Sequence, residues 1–206
     1  MTIYATYIWT DSNNKIRNKL KIIPIDMAIY HTYDIKLLRN YPEWNYDGSS
    51  TGQATGNNSE VLIRPVKVYR DTVNSYMVFT EYSAHNQQVI VLCETYNVDG
   101  TPHSTNKRYA ADKLMKEYAD KKPLFGIEQE FFIFHKDIEH NVNLEYADKK
   151  PQGNYYCGVG GNNISSIERK CIEEIICCAM SAELSITGMN VEVAPSQWEI
   201  QVCAEG

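Results

Sequence analysis

The sequence predicts an α+β chain. Two observations carry this. Residues 1–98 read as strands and turns, rich in β-branched and aromatic residues. Beyond Asp99-Gly100 and Pro102 the apolar spacing lengthens to the three-to-four-residue period of helices in two stretches. That change of period sets two expected domains, 1–98 and 101–206.

Ile3-Tyr4-Ala5-Thr6-Tyr7-Ile8-Trp9 reads as the first strand and Asp11-Ser12-Asn13-Asn14 as a turn. Lys19 to Pro24 pairs back as the second arm of a hairpin. The stretch from Asp47 to Ser59 is a long, polar, glycine-punctuated loop, a type that is usually functional or disordered. Val61 to Pro65 and Val89 to Cys93 read as further strands. Lys107 to Asp120 reads as a helix with Ala111, Leu114, Met115 and Tyr118 on one face. Phe125 to Phe134 reads as a strand. Ser165 to Leu184 is the clearest helix. Ser165 and Glu168 have capping-box spacing, and Ile167, Cys171, Ile175, Cys178, Ala179 and Ala182 form a stripe expected to face the core. Met189 to Val202 returns to strand.

Composition narrows the function classes. The 206 residues carry 20 Lys plus Arg against 26 Asp plus Glu, a net charge of −6. An acidic chain is a poor default partner for nucleic acid or anionic membrane. The longest apolar run, from Ile175 to Met180, is far short of the roughly 20 residues a membrane span needs. The N-terminus lacks a basic region before an apolar stretch, so no secretory signal is expected. Six cysteines with no C-x-x-C pair read as reduced thiols in a cytosolic core. The scattered histidines and cysteines fit no zinc spacing. The heptapeptide Glu117 to Pro123 recurs at Glu145 to Pro151, but two short copies make no solenoid.

The carboxylates are the chemical signal. Glu128 and Glu130 are two apart in an apolar strand and so share a face. A hairpin with Pro195-Ser196 at its tip would set Glu192 directly opposite Glu199. Opposed like charges destabilise a sheet, and a buried unpaired carboxylate costs more. No Lys or Arg lies in either strand. A cation between the carboxylates is the economical answer, and an all-oxygen set suits Mg²⁺ or Mn²⁺. A lone glutamate in a strand more often faces solvent; two matched pairs shift that balance. No phosphate-cradling G-x-x-x-x-G-K-[ST] is present.

Five motifs then stand in one order. They are Tyr41-Pro42-Glu43-Trp44-Asn45-Tyr46-Asp47-Gly48-Ser49-Ser50-Thr51, Val91-Leu92-Cys93-Glu94, Phe125-Gly126-Ile127-Glu128-Gln129-Glu130, the stretch Pro151 to Gly160, and the stretch Gly188 to Gln201. In this order they resemble the glutamine synthetase family of eukaryotic type. The resemblance spans nearly the whole chain and is weakest in residues 1–30 and 72–88. It implies a β-grasp N-terminal domain followed by an incomplete catalytic α/β domain. It implies a cytoplasmic ring-forming homo-oligomer, with glutamate, ammonium and ATP as substrates and Mg²⁺ or Mn²⁺ as cofactor. Carried over by motif, Glu130, Glu192 and Glu199 would bind one metal ion. Glu128 would contribute to a second, beside the nucleotide phosphates. Glu199, Ile200, Gln201, Val202, Cys203 and Ala204 would pass near the nucleotide. Asp47 would face a neighbouring subunit's site and bind or deprotonate ammonium, and Ser50 would support its loop.

Three departures accompany the match. Leu124 stands where relatives often carry Trp, Val202-Cys203-Ala204-Glu205-Gly206 is shortened, and residues 72–88 are longer. The family's later ligands have no counterpart in these 206 residues. The resemblance therefore implies a chain that is inactive by itself. Two alternatives stay open: a non-catalytic or split subunit co-assembling with a longer synthetase, and a related ligase acting on another amine.

Overall fold

The computed structural model describes residues 2–25, 34, 36–71, 86–133, 155–158, 166–194 and 196–205. His31, His85, His135, His140, Ser165, Pro195, the second heptapeptide copy and most of the stretch 151–160 lie outside the described residues. The chain divides into two compact units, 1–120 and 121–206. The first unit runs on past the turn at Asp99-Gly100 and takes in the first helix.

The first unit is built on five strands in the order β2-β1-β5-β4-β3. They are β1 (Thr2–Thr10), β2 (Ile16–Pro24), β3 (Trp44–Asp47), β4 (Glu60–Arg70) and β5 (Asn86–Tyr96). The expected hairpin is present, with Thr2 opposite Pro24 and Thr10 opposite Ile16. Its turn is tied by Asp11, whose buried carboxylate accepts from the Asn13 and Lys15 amides and pairs with Arg17. β1 runs parallel to β5, and the other pairs are antiparallel. Pro65 has no N–H to donate, and the β4 ladder shifts register between Pro65 and Lys67.

β1 alternates strictly. Ile3, Ala5, Tyr7 and Trp9 are buried, while Tyr4, Thr6 and Ile8 are half-buried. The buried set joins Val61, Ile63, Val68, Val89, Val91 and Cys93 from β4 and β5, and Tyr41 and Tyr46 from beside and within β3. Each fully buried Ile or Val adds roughly 1.5–3 kcal/mol. The sheet curls until its two outer strands meet through side chains. Lys19 and Lys21 of β2 lie 3.8 and 4.4 Å from the centre of the Trp44 ring on β3, and Lys19 Nζ donates to the Asn45 carbonyl at 2.8 Å. Tyr7 meets Trp44 edge-on, and Trp9 packs on Tyr46.

Helix α1 (Lys107–Glu117) begins at Asn106, whose side chain caps Tyr109 N–H. It buries no residue, so the stripe containing Leu114 and Tyr118 stands exposed.

The second unit holds β6 (Leu124–Phe132), α2 (Ser166–Ser181), β7 (Ile186–Val191) and β8 (Gln197–Glu205), with strand order β6-β8-β7, all antiparallel. Phe131, Trp198 and Val191 stand in one cross-strand row. Trp198 and Val191 pack with Ile172 of α2, while Phe131, Ile176 and Met189 lie against that core half-buried.

The helix is turned differently from expectation. Among its described side chains Glu168 and Ile172 are buried; Cys171 is exposed, Ile175 is 46% exposed, Cys178, Ala179 and Ala182 are half-buried, and the Ile167 side chain lies outside the described residues. The reason is Glu168. It is fully buried and accepts from Ser196 Oγ at 2.9 Å, which fixes the row 168–172–176 against the sheet; the expected cap at Ser165 lies outside the described residues. None of the six cysteines forms a disulfide, and only Cys93 is buried, so the expectation of core thiols holds for that one residue.

Candidate functional site

Two carboxylate sites emerge, one in each unit. The first is the Asp47 loop. Asp47 ends β3 and caps a single 3-10 turn, Gly48–Thr51. Its carboxylate accepts from Ser49 N at 3.0 Å, Ser49 Oγ at 2.6 Å and Ser50 Oγ at 3.2 Å. These donors, Ser49 foremost, hold the Asp47 carboxyl below the usual aspartate range. The residue itself is exposed. The loop is built, not slack. Gly52 takes a left-handed φ of 70°, and a Cβ on Gly48 would stand 2.5 Å from Val61 Cγ2. Sequence reasoning singled out Asp47 and Ser50 but missed Ser49, although Asp followed two residues later by Ser is a known capping pattern.

Beneath the loop lies a buried polar hub that was also missed. Gln53 Oε1 accepts from Tyr46 OH at 2.5 Å and Thr51 Oγ1 at 2.9 Å. Gln53 Nε2 donates to the Thr10 carbonyl at 3.3 Å and Thr105 Oγ1 at 2.8 Å. His103 Nε2 lies 2.7 Å from the Gln53 carbonyl, so that nitrogen carries the proton, and Nδ1 accepts from Thr105. Burial pushes Tyr46 up to about 12.

The second site is the sheet face turned away from α2. Glu130, Glu199 and Asn190 form one cross-strand row, and Glu128, Gln201 and Gly188 the next. Glu130 and Glu199 are therefore direct neighbours across β6 and β8. Glu192 lies just past β7. It does not stand opposite Glu199: its N–H donates to the Gln197 carbonyl, and Gln197 N–H returns to Ala194 O. Ser196 takes a positive φ of 57°, and the chain reverses between Glu192 and Gln197. The register moves by two residues, which keeps Glu192 on the expected face but pairs Glu199 with Asn190 on β7 and Glu130 on β6.

Three amides interleave the carboxylates. Gln197 Nε2 donates to Glu130 at 2.8 Å, Gln201 Nε2 to Glu199 at 2.7 Å, and Asn190 Nδ2 to Glu192 at 2.9 Å. Glu199 is only 6% exposed, while Glu128 and Glu130 are exposed. Tyr156, which the sequence had placed only within a motif, is held above its ordinary value, first by Cys157 and then by the charges of Glu192 and Glu199. Of the six consecutive residues expected near nucleotide, only Glu199, Gln201 and Cys203 share this face. Ile200, Val202 and Ala204 point to the opposite side, as period-two alternation requires.

The donor chemistry fits a hard divalent cation. A nearly buried carboxylate faces another across the strands, with neutral amides as its hydrogen-bond partners among the described residues. The carboxylates are spread along the face, however, and among the described residues no group of three or more His, Cys, Asp or Glu side chains converges enough to hold an ion. No helix among the described residues is long and apolar enough to cross a membrane.

Comparison with known proteins gives one consistent answer. The chain is 38% identical over 200 residues to glutamine synthetase of Neurospora crassa, covering 97% of this chain and 50% of that protein. It is 39% identical over 202 residues to glutamine synthetase of Debaryomyces hansenii, covering 97% and 49%. Its fold matches the Plasmodium falciparum glutamine synthetase structure with a TM-score of 0.66 at 15% identity, over 98% of this chain and 41% of that one. No protein-family model matches the chain. The chain spans about half the length of the curated relatives it matches.

Proposed function

We propose that the chain, which is similar to glutamine synthetases over about half their length, is a member of that family and carries part of the machinery of an ATP-dependent glutamate–ammonia ligase. Residues 1–98 are the β-grasp N-terminal domain and 101–206 the first part of the catalytic domain. The setting is cytoplasmic, within a ring of like or longer chains. The overall reaction transfers the γ-phosphoryl group of ATP to the side-chain carboxylate of glutamate. Ammonia then attacks the carbonyl carbon of γ-glutamyl phosphate, the C–O bond to phosphate breaks, and glutamine and phosphate leave.

The observation that carries this proposal is the row Glu130–Glu199–Asn190 with Glu128 and Glu192 on the same face. Glu130, Glu192 and Glu199 would hold one Mg²⁺ or Mn²⁺ and Glu128 would serve a second. A divalent ion held there would offset charge between the anionic partners of phosphoryl transfer. The amides of Gln197, Gln201 and Asn190 hydrogen-bond to these carboxylates, so the residues that would hold the ion are already oriented along one face. Glu199, Gln201 and Cys203 are the residues of the last strand that face the nucleotide. Asp47, with its carboxyl held anionic by Ser49 and Ser50, attracts ammonium and takes a proton from it in a neighbouring subunit's site.

The test is Mn²⁺ binding followed by electron paramagnetic resonance, with γ-glutamyl hydroxamate formation measured in parallel. The chain binds Mn²⁺, Glu199→Gln loses most of that affinity, and hydroxamate forms only when the family's remaining half is supplied. A chain that binds no divalent ion would overturn the metal assignment. ATP-dependent hydroxamate formation by the 206 residues alone would overturn the need for the other half.

A further inference from the structure

We propose that Gln53, backed by His103 and Thr105, is a positioning residue that sets where the Asp47 carboxylate points. This rests on the proposal above that Asp47 handles ammonium, and extends it to residues that touch no substrate. The geometry is specific. Asp47 sits between Tyr46 and Gly48, and both are tied to Gln53: Tyr46 OH donates to Oε1 at 2.5 Å, and Gln53 N–H donates to the Gly48 carbonyl at 2.8 Å. The same side chain reaches the end of β1 at Thr10 and the turn before α1 at Thr105. Its backbone carbonyl accepts from His103. Both polar atoms of the amide and both polar atoms of its backbone are thus engaged, in a residue that is 7% exposed.

An exposed aspartate does not need a buried four-way anchor to fold. Asp99 shows this. Its carboxylate accepts from Thr101 N at 2.9 Å and Thr101 Oγ1 at 2.6 Å, nearly the contacts Ser49 makes to Asp47, in a turn that, among the described residues, is tied to the rest of the unit by an Arg64 bond to the Gly100 carbonyl and by no buried amide. Asp47 has the same local cap and, in addition, a fixed base. A buried amide with matched donors and acceptors on four segments defines one position for the backbone it holds. A carboxylate that must meet a reactant supplied from elsewhere gains from that, because a misplacement near 1 Å can cost a large factor in rate.

The experiment is a carboxyl carbon NMR titration of the full chain, with hydrogen exchange at the Ser49 amide. In Gln53→Ala, the Asp47 titration moves up toward the ordinary aspartate value and Ser49 exchange accelerates, while Asp99 is unchanged. Thr105→Val, which removes one hydroxyl and keeps the shape, gives a smaller shift in the same direction and guards against a Gln53→Ala chain that fails to fold. A general loss of structure would move Asp99 as well. Unchanged Asp47 and Ser49 signals in folded variants would overturn the proposal. In an assembly that makes glutamine, Gln53→Ala raises the ammonium KM about tenfold and leaves the ATP KM alone. If the Asp47 titration moves and the ammonium KM does not, positioning stands and the ammonium role of Asp47 falls.

Discussion

The two carboxylate sites differ in what completes them. Asp47 is satisfied by its own unit: hydroxyls and an amide fill its acceptor positions, and a cluster of thirteen buried residues lies in the unit that carries it. The face of Glu128, Glu130, Glu192 and Glu199 is served by neutral amides, and the core on its reverse side is a cluster of three buried residues among those described. β6 is exposed along most of its length, including Leu124, Phe125 and Ile127. One site is finished by folding. The other is laid out by folding and needs charge and cover from outside. A capped aspartate can be presented by a self-sufficient sheet, whereas a set of like charges is held by that sheet only at arm's length.

The largest expected effect comes from removing the keystone of the thinner core. Trp198→Ala costs the second unit about 3–5 kcal/mol, the usual range for a buried aromatic. Denaturant unfolding followed by the near-ultraviolet signals of Trp9 and Trp44 should leave the first unit's transition in place. Coincident loss of both transitions would erase the contrast between the units. Gly48→Ala comes next, at roughly 1–3 kcal/mol in the first unit, because the added methyl meets Val61 and Ala54. Its signature is a lowered Tm for the first unit with Trp198 fluorescence unmoved.

Alkali sharpens the comparison further. Burial pushes both Tyr46 and Cys93 up to about 12, and both belong to the first unit. A group whose folded value is raised favours the protonated, folded state. Its contribution is whole below the unfolded value and is lost as pH rises through the folded one. The first unit should therefore weaken from about pH 9–10 upward, the range of unperturbed thiol and phenol groups, and Tyr46→Phe should blunt that slope. An unaltered slope would remove Tyr46 from the account. Lys21→Met is the smallest change, about 0.5–1 kcal/mol for an exposed cation–π contact, read as a small Tm decrease in the first unit alone.

How much of this was legible depended on whether a signal was local. The β-branched and aromatic run from Ile3 to Trp9 marked β1 as a strand, while the burial of Ile3, Ala5, Tyr7 and Trp9 on one face is set by what packs against it. The shared face of Glu128 and Glu130 followed from the two-residue period of a strand. The opposition of Glu192 to Glu199 failed because Ser196 adopts a left-handed conformation that serine seldom takes, which widened the turn. The rotation of α2 failed because a buried Glu168 outweighed a better apolar stripe, a tertiary bond invisible to periodicity. Gln53 escaped notice for the same reason: its partners lie 2 to 52 residues away. Chemistry set by contacts across the chain leaves little trace in spacing.

The meeting of β2 and β3 has a mechanical consequence. The strands of the curled sheet are laced edge to edge by ladders except at that seam, where, among the described residues, β2 meets β3 through two ammonium groups on one indole and the Lys19 hydrogen bond, with Ser12 reaching Thr51 at the end of the seam. Each such tie is worth on the order of 1 kcal/mol. Tension applied across the seam finds its yield point there, and the sheet hinges open like a cuff at its clasp while every ladder stays zipped. The first surface such a pull would wet is the row of Tyr7 and Trp9, so the tryptophan emission of the first unit would report the clasp's release before any strand is lost.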